Sequence, residues 1–181
     1  MPLIQPFSRS GDSFSDRTGD PDEFSCAIGR IAIWFSGLED EISKTIGFLL
    51  GVDDTTCEIV TSEASFKNKI HLLASLVRKR FPTSMPFYDG LTLDDYLKEF
   101  VARVFEAEQM RNQIMHSSWA GPFLRDQRAE RRKVTAKASR GHQATSEVVD
   151  SGYLLDIADY ICNMMWEVEG FRETLKDKHE T

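Results

Sequence analysis

Chemically useful side chains are concentrated between Glu108 and His116. A histidine exchanges a proton near neutral pH, and an arginine holds a phosphate in a two-pronged contact while stabilising charge in a transition state. An asparagine amide orients a histidine or a scissile phosphate. The stretch contains one of each, Arg111, Asn112 and His116. These are the residue types that metal-free cleavage of a phosphodiester needs.

The spacing of these residues places them on one side of a helix. Each four-residue step turns a helix by only about 40°, so Glu108, Asn112 and His116 line up, and Arg111 lies one ridge away. The apolar stripe that precedes them consists of Leu97, Val101 and Val104. Polar groups on a face that should pack indicate a functional site or a structural network. The structural alternative, an ion pair between Glu108 and Arg111 with His116 capping the helix end, stays open.

Helical periodicity accounts for most of the chain. Pro21 suits the first position of a long helix, and Gly51 marks its end. Pro82 and Pro86 break the helical pattern, and Thr92 begins a capping box for the helix that contains the polar stretch. The predicted helices cover 21–50, a short piece at 53–60, about 62–80, 91–117 and 151–178.

Residues 119–149 interrupt the helical pattern. ERRKVTAKAS and TSEVVD have the composition of two short strands, which predicts a β-hairpin, although a basic irregular loop has a similar composition. We therefore predict an all-α fold, a bundle of four to five helices with a small β-hairpin or irregular insertion before the last helix. Residues 20–181 form a single domain in this prediction, and residues 1–19 form a disordered N-terminal tail.

The charge of the chain is unevenly distributed. A net charge of −7 argues against general affinity for nucleic acid. The segment from Arg125 to Arg140, however, holds seven basic and two acidic residues and follows the polar stretch directly. Its candidates for contacting an RNA backbone are Arg128, Arg131, Arg132 and Lys133. A solvated loop is the alternative meaning of such a run.

Metal, disulfide and membrane chemistry are not expected. Cys26, Cys57 and Cys162 are far apart and form no Cys-x-x-Cys pair, which favours free thiols in a reducing cytoplasm. Cys26 and Cys162 lie on apolar helix faces and are predicted to be buried. The four histidines show no metal-ligand spacing, so neither a metal nor another cofactor is expected. No apolar run approaches the roughly 18 residues of a membrane span.

The hexapeptide RNQIMH, residues 111–116, resembles the Arg-x4-His motif, with asparagine after the arginine, of the HEPN superfamily of helical proteins. The resemblance covers about residues 21–178 and includes the position of the motif at the end of a long helix. Many members of this family are metal-independent endoribonucleases, often toxins or antiviral effectors. They typically dimerise so that two copies of the motif face each other across a cleft.

What the resemblance implies for individual residues is limited to the motif. Arg111, Asn112 and His116 would be catalytic, and Glu108 would be their upstream polar partner. Some relatives carry a tyrosine two residues after the histidine, which an antitoxin modifies. This chain has Ser118 there, so that form of regulation is not expected.

Three functions compete at this point. The first is a cytoplasmic HEPN-type endoribonuclease with a composite site in a homodimer, which cleaves RNA to a 2′,3′-cyclic phosphate and acts in a toxin–antitoxin or antiviral defence system. A two-fold axis would supply the second histidine that acid–base catalysis needs. The second is a non-catalytic HEPN-like binding or regulatory module in complex with an antitoxin or defence protein. The third is a helical scaffold whose polar residues only fix the register of a dimer.

Overall fold

The computed structural model describes residues 23–120, 128–137 and 141–179. The expected tail over residues 1–19 and the helix start at Pro21 lie outside these ranges. The described elements are α1 (Glu23–Leu50), α2 (Asp54–Thr61), α3 (Phe66–Arg80), α4 (Leu93–Met115), β1 (Ser118–Ala120), β2 (Arg128–Lys137), β3 (Gly141–Asp150) and α5 (Ser151–His179). The predicted helical bundle with a small β insertion before its last helix is confirmed.

Side-chain caps fix the starts of the three middle helices. Asp53, Ser65 and Thr92 each accept a hydrogen bond from the backbone N–H three residues further on. Such a cap satisfies one N–H group of the first turn and contributes about 0.5–2 kcal/mol. Because Ser65 supplies the cap, α3 begins at Phe66 and not near residue 62 as predicted.

The two longest helices, α1 and α5, run parallel to each other. At their first turns the Ser151 hydroxyl donates to the Glu23 carboxylate, 3.0 Å away. Further along, the guanidinium of Arg172 donates to Glu41, and both side chains are nearly buried. Because the two contacts occur in the same order along both helices, the helices run in the same direction. The contact between Arg172 and Glu41 also neutralises two charges that would be costly to bury alone.

Helix α4 packs against α5 in the opposite direction. Near its start the Tyr96 hydroxyl donates to Glu167 over 3.0 Å, and later in α4 Glu106 accepts from the Tyr160 hydroxyl over 2.9 Å. The end of α4 therefore lies beside the beginnings of α1 and α5. This arrangement brings the polar stretch of α4 next to the first half of α1.

A single apolar core lies between the helices. Its largest fully buried side chains are Phe24, Ile31, Leu38, Ile42, Ile46, Leu49, Ile70, Leu73, Leu93, Leu97, Phe100 and Phe171. Burial of one such side chain contributes about 1.5–3 kcal/mol, so packing dominates the stability of the bundle. Thr45, a polar residue of α1, is also buried. Its hydroxyl donates to the Glu41 carbonyl at 2.8 Å, so burial leaves no hydroxyl group unsatisfied there. Among the described helices, none has the length and apolar character to cross a membrane.

The cysteines differ from expectation. Cys26 is exposed and Cys162 is half-buried, so the prediction of two buried thiols at these positions was wrong. Cys26 lies on the outward side of α1, whereas its neighbours Phe24 and Ala27 face the core. Cys57 is the buried thiol, and it donates to the Ser43 carbonyl over 2.9 Å. Burial raises the pKa of the Cys57 thiol, which keeps it protonated as this donor.

The insertion forms a three-stranded antiparallel sheet in the order β1-β2-β3. The predicted hairpin is present as β2 and β3, paired along their whole lengths. The short strand β1, which sequence analysis did not predict, follows the end of α4 immediately and pairs Ser118 with Arg132. The sheet therefore begins where the candidate site ends, and its middle strand carries part of the basic segment.

Candidate functional site at the end of helix α4

The face of α4 that packs into the core differs from the predicted stripe. The residues that it buries are Leu93, Leu97, Phe100, Val104, Ala107 and Ile114. Val101 and Glu108 are only half-buried, and Met115 is exposed. Phe100, Ala107 and Ile114 follow one another at intervals of seven residues. Because they are buried in place of Val101, Glu108 and Met115, the packed face of α4 is rotated by about one residue from the predicted face. The polar residues thus lie along the edge of the core, and none of them is deeply buried.

Arg111 is the member of the polar stretch that approaches the core. Its guanidinium carbon lies 5.1 Å from the centroid of the Phe35 ring on α1, in cation–π contact. One of its terminal nitrogens donates to the Asn112 side-chain carbonyl at 2.9 Å. Its Nε is buried without a hydrogen-bond partner among the described residues. These contacts hold the guanidinium in one orientation.

No carboxylate compensates the charge of Arg111 within the part of the chain that the structure describes. The ion pair between Glu108 and Arg111 that the structural alternative required is not formed there. A half-buried cation without a counterion costs free energy, because part of its hydration is removed and no opposite charge replaces it. Such a group is a favourable place for an anion to bind.

His116 lies at the end of the helix and is exposed to solvent. Its backbone N–H donates to the Asn112 carbonyl over 3.1 Å, so the main chain closes the last turn and the imidazole takes no part in this cap. Five residues separate it from Arg111, which corresponds to about 7.5 Å along a helix axis. The described residues show no hydrogen bond between the His116 ring and Arg111 or Asn112. One chain thus presents one free histidine beside one fixed arginine.

Trp119 has a structural position. Its indole N–H donates to the Ile114 carbonyl at 3.3 Å, and its ring meets Phe24 edge to face with centroids 5.1 Å apart. Trp119 therefore packs at the place where α4, α1 and the sheet meet. The ring is half-buried in this contact, which fits an aromatic of the core better than a platform for a base.

Glu108 lies beside α3, and the described residues show no hydrogen bond or ion pair between it and Arg111. It lines a cavity of about 400 Å³ together with Lys67, His71, Phe105 and Gln109. The His71 ring lies 5.6 Å from the Phe105 ring across this cavity. Sequence reasoning did not connect Glu108 with His71, because the two residues are distant in the chain and no motif joins them.

The four basic residues predicted to contact RNA do not share one environment. Arg131 is 6% exposed, pairs with Glu147 at 2.7 Å and donates to the Gln113 carbonyl at 3.1 Å. It therefore fastens the sheet to α4. Arg132 and Lys133 are exposed on the same strand. Arg128 lies in β2, but its side chain is outside the part of the chain that the structure describes.

Within the described residues, no group of three or more His, Cys, Asp or Glu side chains could hold a metal ion. Comparisons of the chain with protein-family models, with curated proteins and with solved structures each return no match. Inference about function therefore depends on the arrangement of Arg111, Asn112 and His116.

Proposed function

We propose that the protein is a metal-independent endoribonuclease of HEPN type that acts as a homodimer. The observation that carries this proposal is the uncompensated charge of Arg111, held beside a solvent-exposed histidine. A phosphate would supply the missing counterion in a two-pronged contact. The resemblance of residues 111–116 to the HEPN motif supports the same chemistry.

The proposed reaction uses the 2′-hydroxyl of the RNA as nucleophile. His116 of one subunit removes its proton while the 2′-oxygen forms a bond to phosphorus. His116 of the partner subunit protonates the 5′-oxygen as its bond to phosphorus breaks, which leaves a 2′,3′-cyclic phosphate and a 5′-hydroxyl. Arg111 stabilises the negative charge that builds on the phosphorane, and Asn112 keeps the guanidinium in position.

Strand β2 supports RNA as the substrate in this proposal. Arg132 lies opposite Ser118, two residues beyond His116, and it is exposed together with Lys133. Both positive charges are thus carried by the strand next to the end of α4. Arg132, which shares its face of the sheet with Ser118, would contact a phosphate that flanks the cleaved one. Lys133, on the opposite face, would add to the positive potential of the strand.

The single histidine at the helix end also favours a second candidate. Without a second copy of His116 the site would have an anion-binding arginine but no acid–base pair. A non-catalytic binding or regulatory module, partnered by an antitoxin or defence protein, would then be the function. The two candidates differ in whether RNA is cleaved after it is bound.

The test is a cleavage assay with defined RNA oligonucleotides in the presence of EDTA. We expect Arg111→Ala to lower the rate by about 10²–10³, the magnitude typical for removal of one charge-stabilising group. His116→Ala should abolish cleavage. Arg80→Ala, at the end of α3, and His179→Ala, at the end of α5, change the same residue types at the opposite end of the bundle. They serve as matched controls and should leave the rate unchanged. Binding of RNA without cleavage by the unmodified protein would favour the binding module.

A further inference from the structure

The loop between α3 and α4 contains a small hairpin. Leu91 N–H donates to the Tyr88 carbonyl at 2.8 Å, and Phe87 N–H donates to the Leu91 carbonyl at 2.9 Å. The two residues at the tip, Asp89 and Gly90, have φ values of 48° and 81°. Positive φ at both central residues is the signature of a type I′ turn, for which Asp-Gly is a preferred pair. The turn therefore fixes the position of the aromatic residues that precede it.

The aromatic side chains of this hairpin form one side of a cavity. Phe87 and Tyr88 lie 4.9 Å and 6.1 Å from the Tyr96 ring, with interplanar angles of 48° and 54°. Phe87 also meets Phe171 of α5 at 5.4 Å and 68°. The Tyr96 ring stacks on Phe171, with centroids 5.6 Å apart and an interplanar angle of 24°. The tilted rings of Phe87 and Tyr88 leave a concave space beside this pair. We call this space, of about 410 Å³, the aromatic pocket.

Tyr88 is the part of the aromatic pocket that is least explained by packing. It is 65% exposed, although its ring lies beside that of Tyr96. An aromatic side chain kept in water on a preorganised turn forgoes the free energy of burial, and this free energy is recovered when a ligand covers the ring. The volume of the pocket lies within the range of small-ligand sites.

The charge around the aromatic pocket is negative. Its lining includes the carboxylates of Asp89, Glu99 and Glu167 and one guanidinium, that of Arg103. Glu167 is engaged already, since it accepts hydrogen bonds from Arg103 and from the Tyr96 hydroxyl. Burial and the neighbouring Glu167 raise the pKa of Tyr96, so its hydroxyl stays protonated as a donor. Glu99 also lies 4.0 Å from the Arg103 guanidinium. Against this one positive charge, the three carboxylates leave an excess of negative charge around the pocket.

We propose that the aromatic pocket binds an organic cation, a methylated ammonium or a guanidinium group. Tilted aromatic rings attract such a cation through their faces, and the carboxylates at the rim add electrostatic attraction. The group would belong to a free small molecule or to a basic side chain of a partner peptide. Because Tyr96 precedes Arg111 by fifteen residues, about 22 Å along α4, this site is separate from the proposed ribonuclease site.

The test is calorimetric titration of the intact protein with choline chloride and with the neutral isostere 3,3-dimethylbutan-1-ol. We expect saturable binding of choline and much weaker binding of the alcohol. Tyr88→Ala should weaken choline binding about three- to fivefold, in line with the strength of one exposed cation–π contact. Ile59→Ala, which truncates an equally exposed apolar residue on α2, is the matched control and should have no effect.

A second titration distinguishes the two sources of the cation. A short peptide that contains trimethyl-lysine or arginine would bind more tightly than choline if a partner chain supplies the group, and no more tightly if a free molecule does. A third variant, Glu99→Gln, should weaken both ligands because it removes rim charge. Equal affinity for choline and the neutral alcohol, or binding of adenosine monophosphate in place of choline, would overturn the proposal.

Discussion

The guanidinium carbon of Arg111 lies 5.1 Å from the centroid of the Phe35 ring. A side chain of α1 thus packs against the arginine of the candidate site on α4. An interaction of this kind contributes about 0.5–2 kcal/mol and also restricts the orientation of the guanidinium. The orientation of Arg111 therefore depends on a residue that is 76 positions earlier in the chain. Substitutions in α1 should affect the candidate site without touching the motif.

Phe35→Leu should impair the site more than it impairs the fold. It removes the ring beneath Arg111 but keeps an apolar side chain, so we expect cleavage to slow about tenfold, since a misplaced guanidinium stabilises the transition state less well. The matched control is Phe66→Leu, because Phe66 is equally buried and its ring lies 4.8 Å from that of Phe35. Both variants should be destabilised by a similar amount, about 1–2 kcal/mol, in denaturant unfolding. Equal reductions of cleavage in the two variants would contradict a specific role for Phe35.

Removal of Arg111 or His116 should cost little stability. No carboxylate among the described residues pairs with Arg111, so Arg111→Met leaves no opposite charge unpaired and retains part of the packing on Phe35. We expect a destabilisation of about 1 kcal/mol, which shifts the melting temperature by about 2–4 °C in a chain of this size. His116→Ala, at an exposed position, should change the free energy of unfolding by less than about 0.5 kcal/mol. Destabilisation by about 3 kcal/mol or more would instead indicate a structural charge network.

Helical periodicity and capping signals were sufficient to predict the bundle. Helical periodicity predicted α1 and α5, and Thr92 marked a helix start that the structure confirms. These signals are local, because a helix forms its own hydrogen bonds and its apolar face repeats within a few residues. The same signals placed the polar stretch of residues 108–116 near the end of α4.

The surroundings of the site were not predictable in the same way. The stack of Arg111 on Phe35, the engagement of Arg131 by Glu147 and the approach of His71 to Phe105 all join distant segments. Such interactions depend on how helices pack: the packed face of α4 is rotated by about one residue from the predicted one, and Glu108 lines the cavity beside α3. A run of basic residues likewise reveals its total charge but not which side chains the sheet will bury.

Reversing the exposed charges of β2 should weaken RNA binding. In the double variant Arg132→Glu with Lys133→Glu, the slope of log affinity against log salt should fall by roughly 0.7 for each phosphate that the protein no longer neutralises. Filter binding at several salt concentrations measures this slope, and Lys178→Glu at the far end of α5 serves as the control. Arg131→Ala should act differently and lower stability, since it removes the ion pair with Glu147 and one of the two hydrogen bonds that the Gln113 carbonyl accepts. An unchanged slope in the double variant would assign these residues to a solvated surface.

A homodimer should form through the end of α4. Most of the apolar residues of α1 are buried within the chain, so that helix has little apolar surface left for a partner. Met115, 38% exposed beside His116, is the apolar residue best placed to bring two copies of the site together. We expect light scattering at about 10 μM to show a dimer, which requires a dissociation constant below about 10 μM. Met115→Glu should yield a monomer without cleavage activity.

Two other variants make the dimer prediction specific. Ile59→Glu, on α2 and far from the end of α4, should leave both the dimer and the activity intact. Ile33→Glu tests the exposed outer face of α1 as an alternative interface. If Ile33→Glu dissociates the dimer and Met115→Glu does not, the two copies of His116 do not face each other. A monomeric unmodified protein would remove the basis for a composite site.

The pH dependence and the products of cleavage test the mechanism most directly. The proposed reaction needs one neutral and one protonated histidine, and histidine changes charge between about pH 5 and 8. The rate should therefore rise and then fall across this range in a bell-shaped profile.

Because the 2′-hydroxyl is the nucleophile, DNA and 2′-O-methyl RNA should resist cleavage. The RNA product should end in a 2′,3′-cyclic phosphate, which mass spectrometry distinguishes from the open phosphate by the mass of one water. Activity should persist in EDTA. Cleavage of DNA, or a strict requirement for magnesium, would refute this mechanism, since the nucleophile would then be an activated water.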